Sequence, residues 1–155
     1  MTPIIACDPG KSGGIAYMDQ EGIVTASSMP DTEGDVYDHI QSLVAGGARP
    51  VCVMERVRGF MGAKAPGSAM FNFGMGYGFI QGVLMGMGVP LELVDPAKWQ
   101  KTFSLGKKSE CSGTTEWKNK LKSEAQRRFP HLKVTLGTAD ALLILSWKMD
   151  KLDRT

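Results

Sequence analysis

The most constraining feature of the sequence is a short apolar run near the N-terminus that ends in an acid. Residues 4–7 are apolar, Asp8 follows them, and Pro9-Gly10 breaks the pattern before a second apolar run starts at Ile15. This arrangement is typical of two buried strands joined by a tight turn, with the acid at the rim of the sheet. Gly13-Gly14 carries no side chains, so another group can approach the backbone closely. Taken alone, an Asp-Pro-Gly sequence is better explained as a turn cap; two later acids change that interpretation.

Length and composition predict one folded domain covering residues 1–155. A chain of this length is in the usual range for one domain and can bury a core of its own. No apolar run is long enough to span a membrane, and the N-terminus lacks the basic and apolar regions of a secretory signal. The three cysteines lack metal-ligand spacing, so reduced thiols in a cytoplasmic compartment, with no membrane partner, are expected.

Positive charge is concentrated in one part of the chain. Positions 98–133 contain ten Lys or Arg residues and three acids, a net charge of +7, whereas the whole chain carries +2. The remainder therefore carries −5. This asymmetry predicts a polyanionic partner on one face, although a solvated basic helix would give the same composition.

The order of apolar runs and breakers predicts an α/β fold. Strands are predicted at 4–8, 14–18, 23–28, 50–55 and 90–94, and helices near 36–46, 68–88, 96–103, 115–128 and 138–147. Short turns make the first three strands an antiparallel meander, and a helical crossover permits the fourth to pair parallel to the first. In the last helix Thr138 is the expected N-cap. Asp140 would then lie in the first turn, where the helix dipole alone would account for an acid.

The fourth predicted strand is apolar until it ends at Glu55, much as the first ends at Asp8. Parallel pairing would bring both acids to the same edge of the sheet. Two carboxylates held together repel each other unless a proton or a cation lies between them, and hard oxygen ligands suit Mg²⁺ or Mn²⁺. The alternative is that Glu55 is a strand-terminal acid paired with Arg56 or Arg58.

The segment after Glu55 combines basic, aromatic and glycine residues. Arg56, Arg58 and Lys64 surround Phe60. Beside a metal site this composition is typical of a loop that contacts nucleic acid, with the ring stacked on or wedged between bases. Packing of Phe60 into the core is the alternative, and the sequence does not separate the two.

A stripe of glycines runs along the helix predicted at 68–88. Gly74, Gly78, Gly82 and Gly86 recur at every fourth residue and share one face. Each Gly weakens a helix by roughly 1 kcal/mol relative to Ala, so the stripe predicts close contact with another backbone. The partner would be the sheet, a neighbouring helix or a second subunit, and packing within the chain is the simplest of these.

In order and spacing, these features resemble the RuvC-type Holliday-junction resolvases, including their phage and chloroplast relatives. The matching pieces are Asp8-Pro9-Gly10 with Gly13-Gly14, then Glu55, Phe60-Met61, the glycine-rich segment 74–82 and Ala139-Asp140-Ala141-Leu142. Each piece is short, but together they cover nearly the whole chain. The resemblance implies a ribonuclease-H-like fold with a five-stranded mixed sheet flanked by helices. It also implies the cytoplasm of a bacterial or phage-infected cell, an organellar origin being compatible as well.

The resemblance further implies a homodimer that cuts branched DNA, a four-way junction, in two symmetric nicks by metal-assisted phosphodiester hydrolysis. Two Mg²⁺ or Mn²⁺ ions per site would be held by Asp8, Glu55 and Asp140, with no nucleophilic side chain. The family commonly has a fourth ligand one turn before the last Asp. Leu136 and Gly137 occupy those places here, so that ligand is missing or comes from elsewhere.

Basic residues are implied both at the site and along the DNA. The family's catalytic lysine matches Lys98 or Lys101 in position, and we assign it to Lys101; a later lysine falls among the three of the helix at 115–128. The implied DNA-contacting residues are Arg56, Arg58, Phe60, Lys64, Lys98, Lys107, Lys108, Lys118, Lys120 and Lys122.

Three other interpretations use parts of the same pattern. The turn after Asp8 also resembles the first phosphate-binding turn of actin-like ATPases, but those proteins need two domains of this fold and the chain has length for one. A ribonuclease-H-like nuclease that cuts RNA in hybrids would use the same acids. A DNA-binding module without activity would need the basic segment but not three converging acids.

Overall fold

A five-stranded mixed sheet forms the centre of the computed structural model, which describes residues 1–59 and 66–155. The strands are β1 (Ile4–Asp8), β2 (Gly14–Met18), β3 (Val24–Ser28), β4 (Val51–Glu55) and β5 (Leu91–Val94), in the spatial order β3-β2-β1-β4-β5. β1 and β3 each pair antiparallel with β2, and β4 pairs parallel with both β1 and β5. The predicted meander and the predicted parallel pairing of the first and fourth strands are both confirmed.

Helices cover both faces of the sheet. They are α1 (Glu33–Val44), α2 (Gly67–Gly86), α3 (Pro96–Gln100), α4 (Thr114–Arg128) and α5 (Leu136–Asp153). The helix predicted at 96–103 is shorter than expected, because the chain tightens into a 3-10 turn at Lys101–Phe103 and then leaves helical geometry at Ser104, which has a φ of 54°. In the part of the chain that the structure describes, none of the helices has the length and apolar character needed to cross a membrane.

The start of α5 differs from the prediction. Thr135, not Thr138, is the N-cap: its hydroxyl accepts from the Thr138 amide at 3.2 Å, and its own amide donates to the Thr138 hydroxyl at 3.0 Å. Thr138 is thus the third helical residue and Asp140 the fifth, so the first turn of α5 contains no acid. The helix-dipole explanation for Asp140 therefore loses its basis, because that effect falls off within the first turn.

Side chains alternate between two hydrophobic cores, one on each face of the sheet. Ile4 and Ala6 of β1 pack with α4 and α5, whereas Ile5 and Cys7 pack with α1 and α2. Because the strand period is two, Asp8 continues the set that faces α5. By the same rule Glu55 follows Val53, which belongs to the α5-side core. The alternation directs both strand-terminal acids towards one helical layer.

Two glycines let the turn after β1 touch the start of α5. A Cβ added at Gly14 would lie 2.7 Å from the carbonyl oxygen of Gly137 and 2.8 Å from that of Ser27, and one added at Gly137 would lie 3.3 Å from the carbonyl oxygen of Ser12. The backbones are therefore closer than any side chain would permit. This contact fixes how far α5 stands from the end of β1.

The glycine stripe of α2 does not pack inside the chain as expected. A Cβ added at Gly74, Gly78, Gly82 or Gly86 would meet no atom within 4 Å among the described residues. α2 contains no charged residue, yet Phe71 and Met85 on its surface are 67% and 79% exposed. The helix presents an uncharged, partly apolar face whose glycines no described residue covers.

The Gly14 contact predicts a loss of stability on adding one methyl group. Gly14→Ala should lower the free energy of unfolding by about 1–3 kcal/mol, because the new Cβ overpacks two backbone oxygens. Gly76→Ala is the matched control, since a Cβ there meets nothing within 4 Å and the change should stabilise α2 by about 0.5–1 kcal/mol. Urea unfolding followed by circular dichroism measures both; equal stability of Gly14→Ala and the wild type would contradict the close contact.

Candidate active site

Two of the three predicted acids meet at the ends of neighbouring parallel strands. Cys7 of β1 lies in register with Met54 of β4, so the next residues, Asp8 and Glu55, end their strands side by side. Both side chains are partly buried and belong to the face covered by α5. The edge where β1, β4 and β5 end thus presents two carboxylates in one partly desolvated position.

The third acid, Asp140, reaches this edge from α5. It lies three residues after Gly137, about one helical turn beyond the contact with the β1–β2 turn. Its charge contributes to the raised pKa of both Asp8 and Glu55, which places it within electrostatic reach of the two strand ends. The structure therefore brings Asp8, Glu55 and Asp140 into one electrostatic environment, although they lie far apart in the sequence.

The electrostatics of the three carboxyl groups is unfavourable to their charged forms. Burial, followed by the charges of Asp140 and Glu55, raises the pKa of Asp8 to about 8. Burial also raises the pKa of Glu55 to about 7; a hydrogen bond from Trp99 lowers it and the charge of Asp140 adds to the increase. Burial raises the pKa of Asp140 as well. Burial and mutual repulsion account for the raised pKa values, and a cation bound at this edge would remove the repulsion between the carboxylates.

The donor set fits a hard divalent cation, because Mg²⁺ and Mn²⁺ prefer carboxylate oxygens. Asp8, Glu55 and Asp140 are the residues that would hold it. Across residues 1–59 and 66–155, no three His, Cys, Asp or Glu side chains are arranged as ligands of one ion. The carboxylates thus have the right chemistry and location, and ion binding requires their side chains to turn towards a common point.

One lysine of α4 lies close enough to affect these acids. The charge of Lys118 lowers the pKa of Asp8 and of Asp140, partly offsetting the effect of burial. Among the described lysines it is the only one that contributes to the shifts of the three carboxyl groups. Lys101, to which the sequence assigned the catalytic role, lies exposed in the 3-10 turn after α3 and makes no such contribution.

The other two lysines of α4 point in different directions. Lys122 lies one turn after Lys118 on the same side of the helix, whereas Lys120 is about 200° around the axis from Lys118. Hydrogen bonds from Ser112 lower the pKa of Glu116, and the charge of Lys120, one turn further along on the same side of the helix, adds to this effect. A single DNA surface along this face of α4 would therefore include Lys118 and Lys122 but not Lys120.

The structure describes three more of the predicted DNA contacts, and none of them contributes to the pKa shifts of Asp8, Glu55 or Asp140. Lys98 of α3 places its Nζ 5.9 Å from the ring centroid of Trp147, and Lys107 and Lys108 are exposed in the loop before α4. Phe60 and Lys64 lie outside the described residues, so the predictions made for them stay predictions.

Two arginines after β4 pair with an acid that the sequence did not single out. Arg56 Nε lies 3.8 Å and Arg58 Nη2 3.4 Å from Oδ1 of Asp95, which follows β5 at the same sheet edge. The alternative pairing of Glu55 with these arginines is therefore wrong in the described chain. Asp95 could have been suspected from its position directly after a parallel strand.

A second missed residue touches Glu55 itself. The indole Nε1 of Trp99 donates a hydrogen bond to Oε2 of Glu55 at 3.0 Å, and Trp99 is completely buried. The sequence signal was a tryptophan in a short helix that follows β5 and starts with Pro96 at its first position. Nothing in that pattern connects Trp99 with a residue 44 positions earlier.

Comparison with known proteins supports the fold. No protein-family model matches the chain, and no curated protein matches it by sequence. Among solved structures, Thermus thermophilus RuvC in complex with Holliday junction substrate is similar with a TM-score of 0.60 and 14% identity, covering 97% of this chain and 96% of that chain. Another Thermus thermophilus RuvC structure gives a TM-score of 0.56 and 13% identity, covering 96% of each chain. The predicted ribonuclease-H-like α/β architecture is confirmed, and the chain has a RuvC-like fold.

The raised carboxyl pKa values predict how stability depends on pH. In the unfolded chain these acids ionise near pH 4, whereas folded Asp8 and Glu55 keep their protons to about pH 8 and 7. The folded state then binds more protons over this range, so metal-free stability falls as pH rises from about 4 to 8. Added Mg²⁺ should raise the melting temperature more at pH 8 than at pH 5, because it binds the ionised forms.

Removing one carboxylate charge should stabilise the metal-free protein at pH 8, because it removes part of the same repulsion. In chelator at pH 8, Asp8→Asn should gain at least about 1 kcal/mol of stability, roughly 2–4 °C in melting temperature for a chain of this size, and should lose most of the Mg²⁺ response. Asp31→Asn, at an exposed acid, is the control and should behave as the wild type. A destabilised Asp8→Asn protein under these conditions would contradict the electrostatic description of the site.

Proposed function

We propose that this chain is a structure-selective endodeoxyribonuclease that resolves four-way DNA junctions by metal-dependent phosphodiester hydrolysis. The observation that carries the proposal is the meeting of Asp8, Glu55 and Asp140 at one sheet edge, with Lys118 beside them. The RuvC-like fold supports it, since one structure with this fold is a RuvC in complex with Holliday junction substrate. Residues 1–155 would form a single nuclease domain.

The three carboxylates would hold Mg²⁺ or Mn²⁺, two ions per site. When bound there, these ions supply a Lewis acid for the phosphate and lower the pKa of bound water. The role of the chain is to hold three oxygen ligands on rigid elements, two at strand ends and one in a long helix. Lys118 would bind a non-bridging phosphate oxygen and offset the charge that develops in the transition state. Lys101 stays a second candidate for this role.

Phosphate contacts would extend from the site over the basic residues around it. Lys118 and Lys122 form one line along α4. After β4, Arg56 and Arg58 are 48% and 79% exposed and share Asp95, so a DNA phosphate could take the place of that carboxylate. Lys98, Lys107 and Lys108 would add further contacts. Phe60 and Lys64 belong to the same proposal, Phe60 by stacking on a base at the junction.

A homodimer would supply two such sites for paired nicks. The face that supports it is the uncharged outer side of α2, where Phe71, Met75 and Met85 are exposed near glycines that no described residue covers. Residues 71, 75, 78, 82 and 85 recur at three- and four-residue intervals and share one side of the helix. Small residues at such spacing let two helices approach closely, and the large apolar side chains beside them would be buried.

Cleavage assays on three substrates test the proposed activity. A four-way junction, a linear duplex and an RNA–DNA hybrid are incubated with the protein in Mg²⁺ and in chelator. We expect metal-dependent cutting of the junction in preference to the other two, and a loss of at least about 100-fold in rate for Asp8→Asn, Glu55→Gln and Asp140→Asn. Junction binding in Ca²⁺ should persist, and Asp31→Asn should cut normally.

Two outcomes of this assay would reject parts of the proposal. Normal cleavage by Asp140→Asn would remove that residue from the site. Cutting of the hybrid without the junction would make the chain a different ribonuclease-H-like nuclease that uses the same acids.

Lys118 and Lys120 lie on different sides of α4, which gives a separate prediction. Lys118→Ala should lower the single-turnover rate of junction cleavage by about 100-fold, because it removes one transition-state donor. Lys120→Ala should have a much smaller effect, since Lys120 lies beside Glu116 on another side of the helix. Equal losses in the two variants would show that the lysines act only through the overall charge of α4.

The α2 face predicts the oligomeric state. The wild type should be a dimer in light scattering at micromolar concentration, and Met75→Glu should be monomeric because a charge would be buried at the centre of the interface. Asn119→Glu, on the opposite side of the sheet, is the control and should remain dimeric. A monomeric wild type that still makes paired nicks would remove the dimer from the proposal.

A further inference from the structure

We infer that Trp99 is a positioning residue for Glu55: its indole N–H holds one carboxylate oxygen in place and leaves the other directed to the metal-binding edge. This inference rests on the proposed function and concerns the same site. A buried side chain of the core would thereby orient one of the three proposed metal ligands.

The hydrogen bond joins a buried donor, the indole N–H of Trp99, to a partly buried acceptor, the carboxylate of Glu55. Nε1 of Trp99 lies 3.0 Å from Oε2 of Glu55. An indole nitrogen can only donate, and in a fully buried ring it requires an acceptor. Trp99 is 0% exposed, so water cannot replace the carboxylate without disrupting the core. No buried side-chain polar atom of the described residues lacks a hydrogen-bond partner, and for this indole Glu55 is the partner.

The ring of Trp99 is itself fixed from several sides. The ring of Phe103 packs edge-on against it with centroids 6.3 Å apart, and the guanidinium of Arg128 lies over the Phe103 ring, 4.6 Å from its centroid. The hydroxyl of Thr102 donates to the Trp99 carbonyl at 2.7 Å, which holds the end of α3. Since the indole cannot rotate away, the position of Oε2 follows from the packing of the core.

A neutral donor suits a carboxylate that must also bind a cation. A lysine or arginine in the place of Trp99 would orient Glu55 equally well but would cancel the charge that attracts the ion. The nearest arginines in sequence, Arg56 and Arg58, are engaged by Asp95 instead. Repulsion from Asp140 would otherwise favour rotation of Glu55 away from the site, and the hydrogen bond opposes that rotation while leaving the carboxylate charge in place.

Metal affinity separates this role from simple packing. Trp99→Phe should bind Mn²⁺ about 10- to 100-fold more weakly in isothermal titration calorimetry, the usual cost of losing a hydrogen bond to a metal ligand. Trp147→Phe is the matched control, because Trp147 belongs to the same core and has no contact with Glu55 among the hydrogen bonds of the described chain. Both variants are expected to lose some stability, measured by urea unfolding, but only Trp99→Phe should lose Mn²⁺ affinity. Unchanged Mn²⁺ affinity in Trp99→Phe, or an equal loss in both variants, would overturn the inference.

The indole N–H signals give a second readout that does not depend on activity. The three tryptophans give three such signals in a nitrogen–proton correlation spectrum, assigned by the Trp→Phe variants. Glu55→Gln in chelator should shift the Trp99 signal and leave those of Trp117 and Trp147 in place, and Mg²⁺ added to the wild type should do the same. A Trp99 signal that responds to neither change would overturn the inference.

Failure of this inference can be told apart from failure of the proposed function. A wild type that cuts junctions, with a Trp99→Phe protein that binds Mn²⁺ normally, would reject the positioning role alone. A wild type that cuts no DNA, with a Trp99 signal that responds to Glu55→Gln and to Mg²⁺, would reject the nuclease and support the positioning role.

Discussion

The close contact between the β1–β2 turn and the first turn of α5 determines the geometry of the site. Gly14 and Gly137 bring two backbones to a separation that no Cβ would allow, and this sets the height of α5 above the sheet. Asp140 lies one turn further along, and Asp8 ends the strand that leads into the turn. A side chain at Gly14 would push α5 away from the sheet and separate Asp140 from Asp8, so the geometry of the site depends on this backbone contact.

Bringing three acids together has an electrostatic cost that the surrounding residues only partly offset. Burial and mutual repulsion raise the pKa of Asp8 to about 8, and Lys118 acts in the opposite direction. Trp99 contributes without charge, by a hydrogen bond to Glu55. The residual repulsion is what a divalent cation would relieve. A site of this kind gives up stability in the metal-free state in exchange for affinity towards a cation.

The two faces of the sheet carry different surfaces. The α5 side holds the acids, and α4 brings Lys118 and Lys122 to it. The opposite side ends in α2, a 20-residue helix without a charged residue, and no part of the chain that the structure describes covers the glycines of its outer face. The basic residues of α4 and the apolar face of α2 thus lie on opposite sides of the sheet. This separation is what allows a nucleic acid and a second subunit to be proposed as partners of one small domain.

The sequence by itself determined the strands, their order and the acids that end them, because apolar runs, breakers and a period of two are local properties. Through the parallel pairing that it permits, it therefore predicted Asp8 and Glu55 side by side at one edge of the sheet. Tertiary packing decided the rest. Thr135 rather than Thr138 caps α5 because its hydroxyl lies within hydrogen-bond distance of an unpaired amide at the helix start. Lys118 points towards the acids because Trp117 and Leu121 are the residues of α4 that pack into the core. Contacts between residues far apart in sequence, such as Trp99 with Glu55, arise only when separate elements pack, since no spacing along the chain encodes the distance between them.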